Sequence, residues 1–517
     1  MKKNHERGIA MVLALFLMSA MSVLATSLMF LSQTETYASM NYRMMSQSRY
    51  AGEAAVQKAA DFLLDSAQYA VPGPGNAIDP LTNYDWTSSP VTYGGQPVVL
   101  SAVDSVASNY PAAAVQTAFD AGAQGSLAAG DASLSYGAYA TLIAMQQFDA
   151  YGGTQNVVQT WEVIGIGELG GARTATVEVL ATIETPRVPA NNYAAFAVDD
   201  SCGAMYFHGN VTINSYDSRV AGGPGASTED EGGDVGTNGN LQIEGSVEVQ
   251  GNLYTPRSGV GTCEEGAVTA LTETGAADVT GSIIQLPTAV TYPLPALPPT
   301  LPRNLVTIDS AATLATACAT LGVTTQPGVT CSVSGSTITI DGNGNDVNLP
   351  SVSIGGGYTL ELVAASTPGQ TININSLTGS GDLEINTAAA GESVVMRVAG
   401  LEADNTTEMA VPIDLELMSW KQNASGSALS YDASAFQLVY GGSATLNMKG
   451  GNSQSAMTIY APNADFELKG TQDLYGSVLA RTIENHGNAS IHYDRSLAEE
   501  HFVAGRPMIG TFTWKRF

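Results

Sequence analysis

The chain has 517 residues and a formal net charge of −28, with 20 Lys+Arg against 48 Asp+Glu. A surface this acidic lacks the basic groups that phosphate contacts require, so nucleic acid is excluded as an electrostatic partner. A hydrophobic content of 44% rules out a disordered chain, and 13% charged residues with 55 glycines describe an extracellular, β-rich protein.

Residues 1–7 are short and basic, with Lys2, Lys3 and Arg7. Gly8 follows, and then 23 apolar residues from Ile9 to Leu31, interrupted only by Ser19, Ser22, Thr26 and Ser27. At about 1.5 Å per residue this run crosses a hydrocarbon layer of about 30 Å as one helix. The basic flank orients its N-terminal end to the cytoplasm. Three roles fit the segment. It can be a secretory signal peptide cut after Val23-Leu24-Ala25, a plain membrane anchor, or a class III leader cut directly after Gly8. The third is preferred because the helical pattern continues past the apolar run. Residues 33–67 contain no Pro and one Gly, and are rich in Ala, Met, Gln and Glu. Tyr42, Met45, Arg49, Gly52, Val56, Ala59, Leu63 and Ser66 recur at three- and four-residue spacing. One helix over residues 9–70 is expected, its first half suited to lipid or a bundle of like helices. Its second half is amphipathic and suited to docking on a globular head.

The run Arg7-Gly8-Ile9-Ala10-Met11-Val12-Leu13-Ala14-Leu15 resembles the start of PilX-type minor pilins of the type IV pilus system. Asn41 and Ala51-Gly52-Glu53-Ala54-Ala55 match that family's N…A-x-E-A-A pattern, and the resemblance covers residues 6–65. It implies a leader at 1–8, removed by prepilin peptidase between Gly8 and Ile9, and methylation of the new N-terminus. It further implies residence in the inner membrane with a cytoplasmic N-terminus and a periplasmic head. Assembly with other minor and major pilins into a pilus at the cell surface would follow. One position departs from ordinary major pilins, which carry Glu at the fifth mature residue. Here that residue is Leu13. A carboxylate inside an apolar bundle is costly unless paired, and in pilins the partner is taken to be a neighbour's N-terminal amine. Its loss points to a priming or tip role, unless Leu13 is simply tolerated.

Residues 71–84 form a Pro/Gly-rich break. Residues 101–122 read as short helices and loops. Residues 133–147, 157–166 and 173–184 are candidate strands, so residues 71–190 are expected to form a small antiparallel sheet under the long helix. The segment from Trp161 (WEVIGIGELGGAR) resembles the PilX-family hairpin that follows the helix, and it fits a generic hairpin equally well.

From 191 to 505 the pattern changes to runs of three to five residues with period-two alternation, split by Gly, Asn, Ser and Asp. Val211-Thr212-Ile213, Ser246-Val247-Glu248-Val249, Thr371-Ile372-Asn373-Ile374 and Asp465-Phe466-Glu467-Leu468 are examples. Short strands with inward aliphatics and Gly/Asn corners indicate a β-helix or β-solenoid head, with a Greek-key sandwich as the alternative. The fold class is therefore α+β and then mostly β. Residues 281–303 are dense in Pro, cannot be a central strand, and belong to a surface crossing or hinge. An insertion is expected over 281–350, with a helix at 309–321 and a hairpin after it. Residues 506–517 are expected as a tail. Segments at 213–218, 234–239, 459–464, 474–477 and 491–494 resemble a bacterial domain of unassigned function that is often fused to PilX-type N-termini.

Four cysteines in an oxidising compartment suggest two disulfides. Proximity pairs Cys318 with Cys331 and leaves Cys202 for Cys263. No cofactor is expected. Two loops offer weak Ca²⁺ candidates: Asp341, Asn343, Asn345 and Asp346, whose spacing starts like an EF-hand loop but does not finish as one, and residues 229–231 with Asp234. No Ser/His/Asp or HExxH pattern appears, His486, His492 and His501 read as turn or surface residues, and no enzymatic activity is expected. The expected function is that of a minor pilin, priming assembly or placed at a tip, whose head serves adhesion or surface contact with a ligand the sequence leaves unknown. The alternative is a membrane-anchored or secreted β-helical surface protein acting on or binding carbohydrate.

Overall fold

A computed structural model describes residues 6–65, 68–72, 79–129, 132–150, 154–170, 175–189, 192–220, 224, 231–298, 300–366, 369–389, 391–416, 421–422, 431–450, 454–471, 473–500, 502–505 and 507–515. The chain divides into two units. The first comprises Met1–Phe148, Gln155–Arg187 and Ala504–Phe517, and the second comprises Asp149–Thr154 and Val188–Val503.

In the first unit the helix Glu6–Leu64 is unbroken over 59 residues, about 88 Å at 1.5 Å per residue. Its second half buries Ser48, Ala51, Ala55, Val56, Ala59, Ala60, Phe62 and Leu63. The expected stripe is therefore right at Val56, Ala59 and Leu63 but not at Tyr42, which is 73% exposed. Small Ala side chains, rather than the larger ones upstream, let a sheet approach. That sheet runs in the order Val99–Ser101, Ala132–Ala150, Thr154–Gly170, Ala175–Glu184, Met508–Lys515, and Gln124–Ala129 pairs with Ala132–Ala150. Antiparallel registers join its members, as in Trp161 opposite Ile183 and Phe512 opposite Ala181. The segment expected as a C-terminal tail thus supplies an edge strand of this sheet.

Residues 101–111 are not helical. Ser108 Oγ accepts the main-chain N–H of Ser101, and Ser101 Oγ accepts that of Val103, the local competition by which Ser disfavours helix. The helix here is confined to Ala113–Gly122 and buries Phe119. Phe62, Tyr69, Tyr84, Tyr110, Phe119 and Trp161 form an aromatic core. Within it, buried Asp79 accepts the hydroxyls of Tyr84 at 2.8 Å and Tyr110 at 2.6 Å.

The second unit is a parallel, β-helix-like stack. Apart from one antiparallel hairpin its strand pairings are parallel, which is incompatible with a Greek-key sandwich. One inward row shows how it is built: Leu271, Leu241, Met205, Ile483, Phe466, Leu446, Ile413, Leu377, Val352 and Val306 lie opposite one another in succession. All ten are buried. Nine steps of about 4.8 Å give a core about 43 Å long. The order of this row is not chain order. The chain enters mid-row at Met205, builds outward to Leu271, and then leaves the stack. It resumes at the opposite end with Val306 and works back to Ile483, which docks against Met205.

Residues 286–304 make the crossing. Nineteen residues at about 3.1 Å each reach about 59 Å, enough for the core's full length. This strap lies on an outward row that is itself apolar, Val439, Tyr460, Leu479 and Phe196, joined by Val290 and Tyr292. The expectation of one insertion over 281–350 therefore resolves into parts. Ile283–Gln285, Leu305–Ile308 and Val347–Ile354 are strands of the stack. The short helices Ala311–Ala315 and Ala317–Thr320 lay Leu314, Ala317 and, just beyond, Leu321 on the same core. The hairpin Thr330–Ser334/Thr337–Asp341 follows.

Candidate assembly helix and exposed head surfaces

The first half of the long helix has no covering partner in the described residues. Ile9 is 65% exposed, Leu13 62% and Phe16 74%. Ile9, Val12, Leu13 and Phe16 share one face, as i, i+3, i+4 and i+7 spacing dictates. Two of its polar interruptions are satisfied internally, Thr26 Oγ1 donating to the Ser22 carbonyl and Ser27 Oγ to that of Val23. The helix is long and apolar enough to cross a membrane, with mean hydropathy 2.3 over its best window. Gly8 lies within it, and residues 1–5 of the expected leader fall outside the described residues. Leu13 is an uncharged position on an uncharged ridge.

The second half meets the sheet at a glycine notch. A Cβ on Gly52 would approach Val179 to 2.9 Å. One on Gly165 would come within 2.3 Å of the Gly52 carbonyl, and one on Gly167 within 1.9 Å of the Ser48 carbonyl. Glu53, the carboxylate of the AGEAA stretch, pairs with Arg49 at 2.8 Å one helical turn away.

In the head, Cys202 is bonded to Cys263 and Cys318 to Cys331, each with Cα atoms 5.7 Å apart. Cys318–Cys331 ties the second short helix to the hairpin. Of the candidates Asp341, Asn343, Asn345 and Asp346, the first three are tied into a hydrogen-bonded turn. Asp341 accepts the N–H of Asn343, the Asn345 amide donates to the Gly342 carbonyl, and Gln370 donates to the Asn345 carbonyl. Residues 229 and 230 of the second loop lie outside the described residues. There Asp234 accepts from the main chain and amide of Asn252. Among the described residues no three His, Cys, Asp or Glu side chains gather as a metal site would require.

The faces of the stack differ. One lies under the strap. A second is covered near the junction of Met205–Tyr216 with Ile491–Asp494. There Tyr216 donates to the Tyr431 carbonyl and Tyr431 packs 4.8 Å from Tyr475. His492, expected on the surface, is only 6% exposed. It stacks on Tyr475 at 4.5 Å, and its Nδ1 lies 2.5 Å from Asn214 Oδ1. Asp494 is fully buried, and burial raises its carboxyl above the usual range although the main-chain N–H groups of Ser218 and Ser496 donate to it. His501 is outside the described residues. The third face is open and carries a ladder of paired polar groups: Lys449 with Asp414 at 3.1 Å, Lys469 with Glu467, His486 with Glu484 at 2.9 Å, and Tyr206 with Glu244 at 2.8 Å. Sequence reasoning missed both coverings. The available signal was aromatic residues, Phe196, Tyr216, Tyr460 and Tyr475, at the outward phase of strands that otherwise alternate.

A family described as a domain of unknown function (DUF7305) matches residues 381–500, the returning limb of the stack. No curated protein matches the chain in sequence. Among solved structures, the competence-associated pilin ComZ from Thermus thermophilus aligns over 91% of this chain and 97% of its own, at 13% identity and a TM-score of 0.30. At that score the two do not superpose closely enough for the likeness to bear on fold or function.

Proposed function

We propose that this chain is a pilin-like subunit: a minor pilin held in the inner membrane by its first helix, cut between Gly8 and Ile9 by prepilin peptidase, and assembled with other pilins. Its large head would be displayed for adhesion or surface contact. One observation carries the reading. A single unbroken helix joins an uncovered apolar half to a half that forms the core of the first unit. That suits a helix retained in the mature protein. The PilX-like pattern at residues 6–65 supports the finer assignment. The head is read as a binding rather than a catalytic body, in keeping with a ladder whose carboxylates are engaged by neighbouring side chains.

N-terminal sequencing of the mature protein tests this. The expected sequence begins at Ile9, and Gly8→Val should leave uncut precursor, because a side chain there obstructs the peptidase. A mature chain beginning at Thr26 would overturn the reading in favour of a secreted protein. Immunogold labelling addresses position: a subunit with Leu13 lacks the carboxylate that would pair with a neighbour's buried amine, so label is expected at filament ends. Regular label along the shaft would refute the tip assignment and leave the pilin assignment standing.

A further inference from the structure

The strap has an outer side that its structural task does not explain. Residues 279–302 contain no charged residue in a chain of net charge −28. Within it burial repeats every third residue: Pro295 and Leu301 are buried and Tyr292 and Pro298 half-buried, while Leu294, Leu297 and Thr300 are exposed. A three-residue period is that of a polyproline-II helix. In keeping with it, the described residues from 291 to 303 make no main-chain to main-chain hydrogen bond. The inner side is fastened at both ends. Tyr292 packs 5.2 Å from Phe196, Tyr460 donates to the Pro293 carbonyl at 2.7 Å, and Arg303 donates to Asn405 at 2.7 Å. These contacts account for the prolines, which let an extended segment cross the stack without pairing. They do not account for Leu294 and Leu297, which are 60% and 59% exposed one turn apart on the outer ridge.

We infer that this ridge is a docking surface for a second protein with an aromatic-lined groove that reads a polyproline-II helix. The chemistry follows from what the ridge presents. It offers Leu294 and Leu297 beside the exposed Pro293 and Ala296, main-chain carbonyls without main-chain partners, and no charge to attract a polyanion or a basic peptide. Tyr and Trp rings stack on such a ridge, and their O–H and N–H groups donate to its carbonyls. Fastening from below means the conformation is already fixed, so binding costs little ordering. The inference does not depend on the pilin reading, since the strap belongs to the head whatever carries it.

The test uses the full-length chain in its own cells with a benzophenone-bearing residue in place of Leu297, and reads photoadducts by mass spectrometry. One discrete adduct to a different polypeptide is expected, at a peptide containing Trp or Tyr. It should be competed by excess synthetic PLPALPPTLPR and should fall at least tenfold with Leu294→Asp. The same substitution should leave the melting temperature of the purified protein unchanged, because that side chain is exposed. An adduct joining two copies of this chain would replace the inference with self-association. Absence of an adduct, or one indifferent to Leu294→Asp, would overturn it.

Discussion

In the first unit one helix packs along the sheet through residues 51–63 and comes tightest against it where Gly52 faces Gly165 and Gly167. In the second unit one kind of contact, an apolar side chain against the next, recurs nine times along a row of ten residues. Both bury a full core, but they distribute it differently. A notch built from three glycines has no slack, because at Gly165 and Gly167 what a new side chain would strike first is backbone. A stack of equivalent layers spreads any one defect over its neighbours. The first unit should therefore fail at particular residues, and the second should weaken by degrees.

The strongest way to break that comparison is at the notch. Gly167→Val places carbon where the Ser48 carbonyl now lies, 1.9 Å from an ideal Cβ. The helix must lift, and overpacking against backbone sits above the usual range of about 1–3 kcal/mol. A loss of more than about 3 kcal/mol from the first unit is expected. It would be read as protease cleavage near residue 64 and loss of the near-ultraviolet signal of Trp161, which is buried beside the helix. A Gly167→Val protein that melts like the wild type would show that the notch has slack after all.

The second prediction concerns the short helices, where the stack departs from equivalent layers. Cys318–Cys331 closes a loop with a sequence separation of 13. In the chain-entropy account, closing a loop of that size contributes about 3 kcal/mol. Replacing both cysteines by serine should lower the head's unfolding midpoint in urea accordingly while leaving the first unit's unchanged. Equal loss in both units would mean that the two melt as one body.

How much of this was legible beforehand differs between the units for the same reason. In the first, neighbours in space are mostly neighbours in sequence. The long helix and the three long strands could be placed from periodicity. Residues 101–111 were misread as helical because their Ser side chains bond the local main chain, and the closing strand Met508–Lys515 was misread because those eight residues carry no mark of a partner at Ala175–Glu184. In the second, alternation revealed the strands and their inward aliphatics, and proximity gave both disulfides. The order of the layers was hidden. Nothing local in Met205 or Ile483 says that they lie opposite each other, and only the length and proline content of residues 286–304 hint that the chain must travel the whole stack before resuming. His492 was misplaced for a related reason: its cover comes from Tyr431 and Tyr475, and its partner Asn214 is 278 residues away.

The smallest effect is expected on the open face of the head. Parallel in-register strands set identical charges side by side there: Lys449 opposite Lys469, and Glu467 opposite Glu484. Like charges in adjacent strands repel, and Lys469 with Glu467 and His486 with Glu484 relieve that repulsion along the strand instead of across it. Such pairs offset a local cost more than they hold the layers together. With side chains 38% and 27% exposed, the Lys469–Glu467 pair should show a coupling of about 0.2–1 kcal/mol in a double-mutant cycle of Lys469→Ala and Glu467→Ala. The coupling should shrink as salt is raised, because exposed charges are screened. A coupling above about 2 kcal/mol, insensitive to salt, would mean that this face is desolvated in solution and that something covers it as the strap covers its neighbour. The open face would then join the list of occupied ones, and the contrast between a rigid notch and a forgiving stack would hold only for its interior.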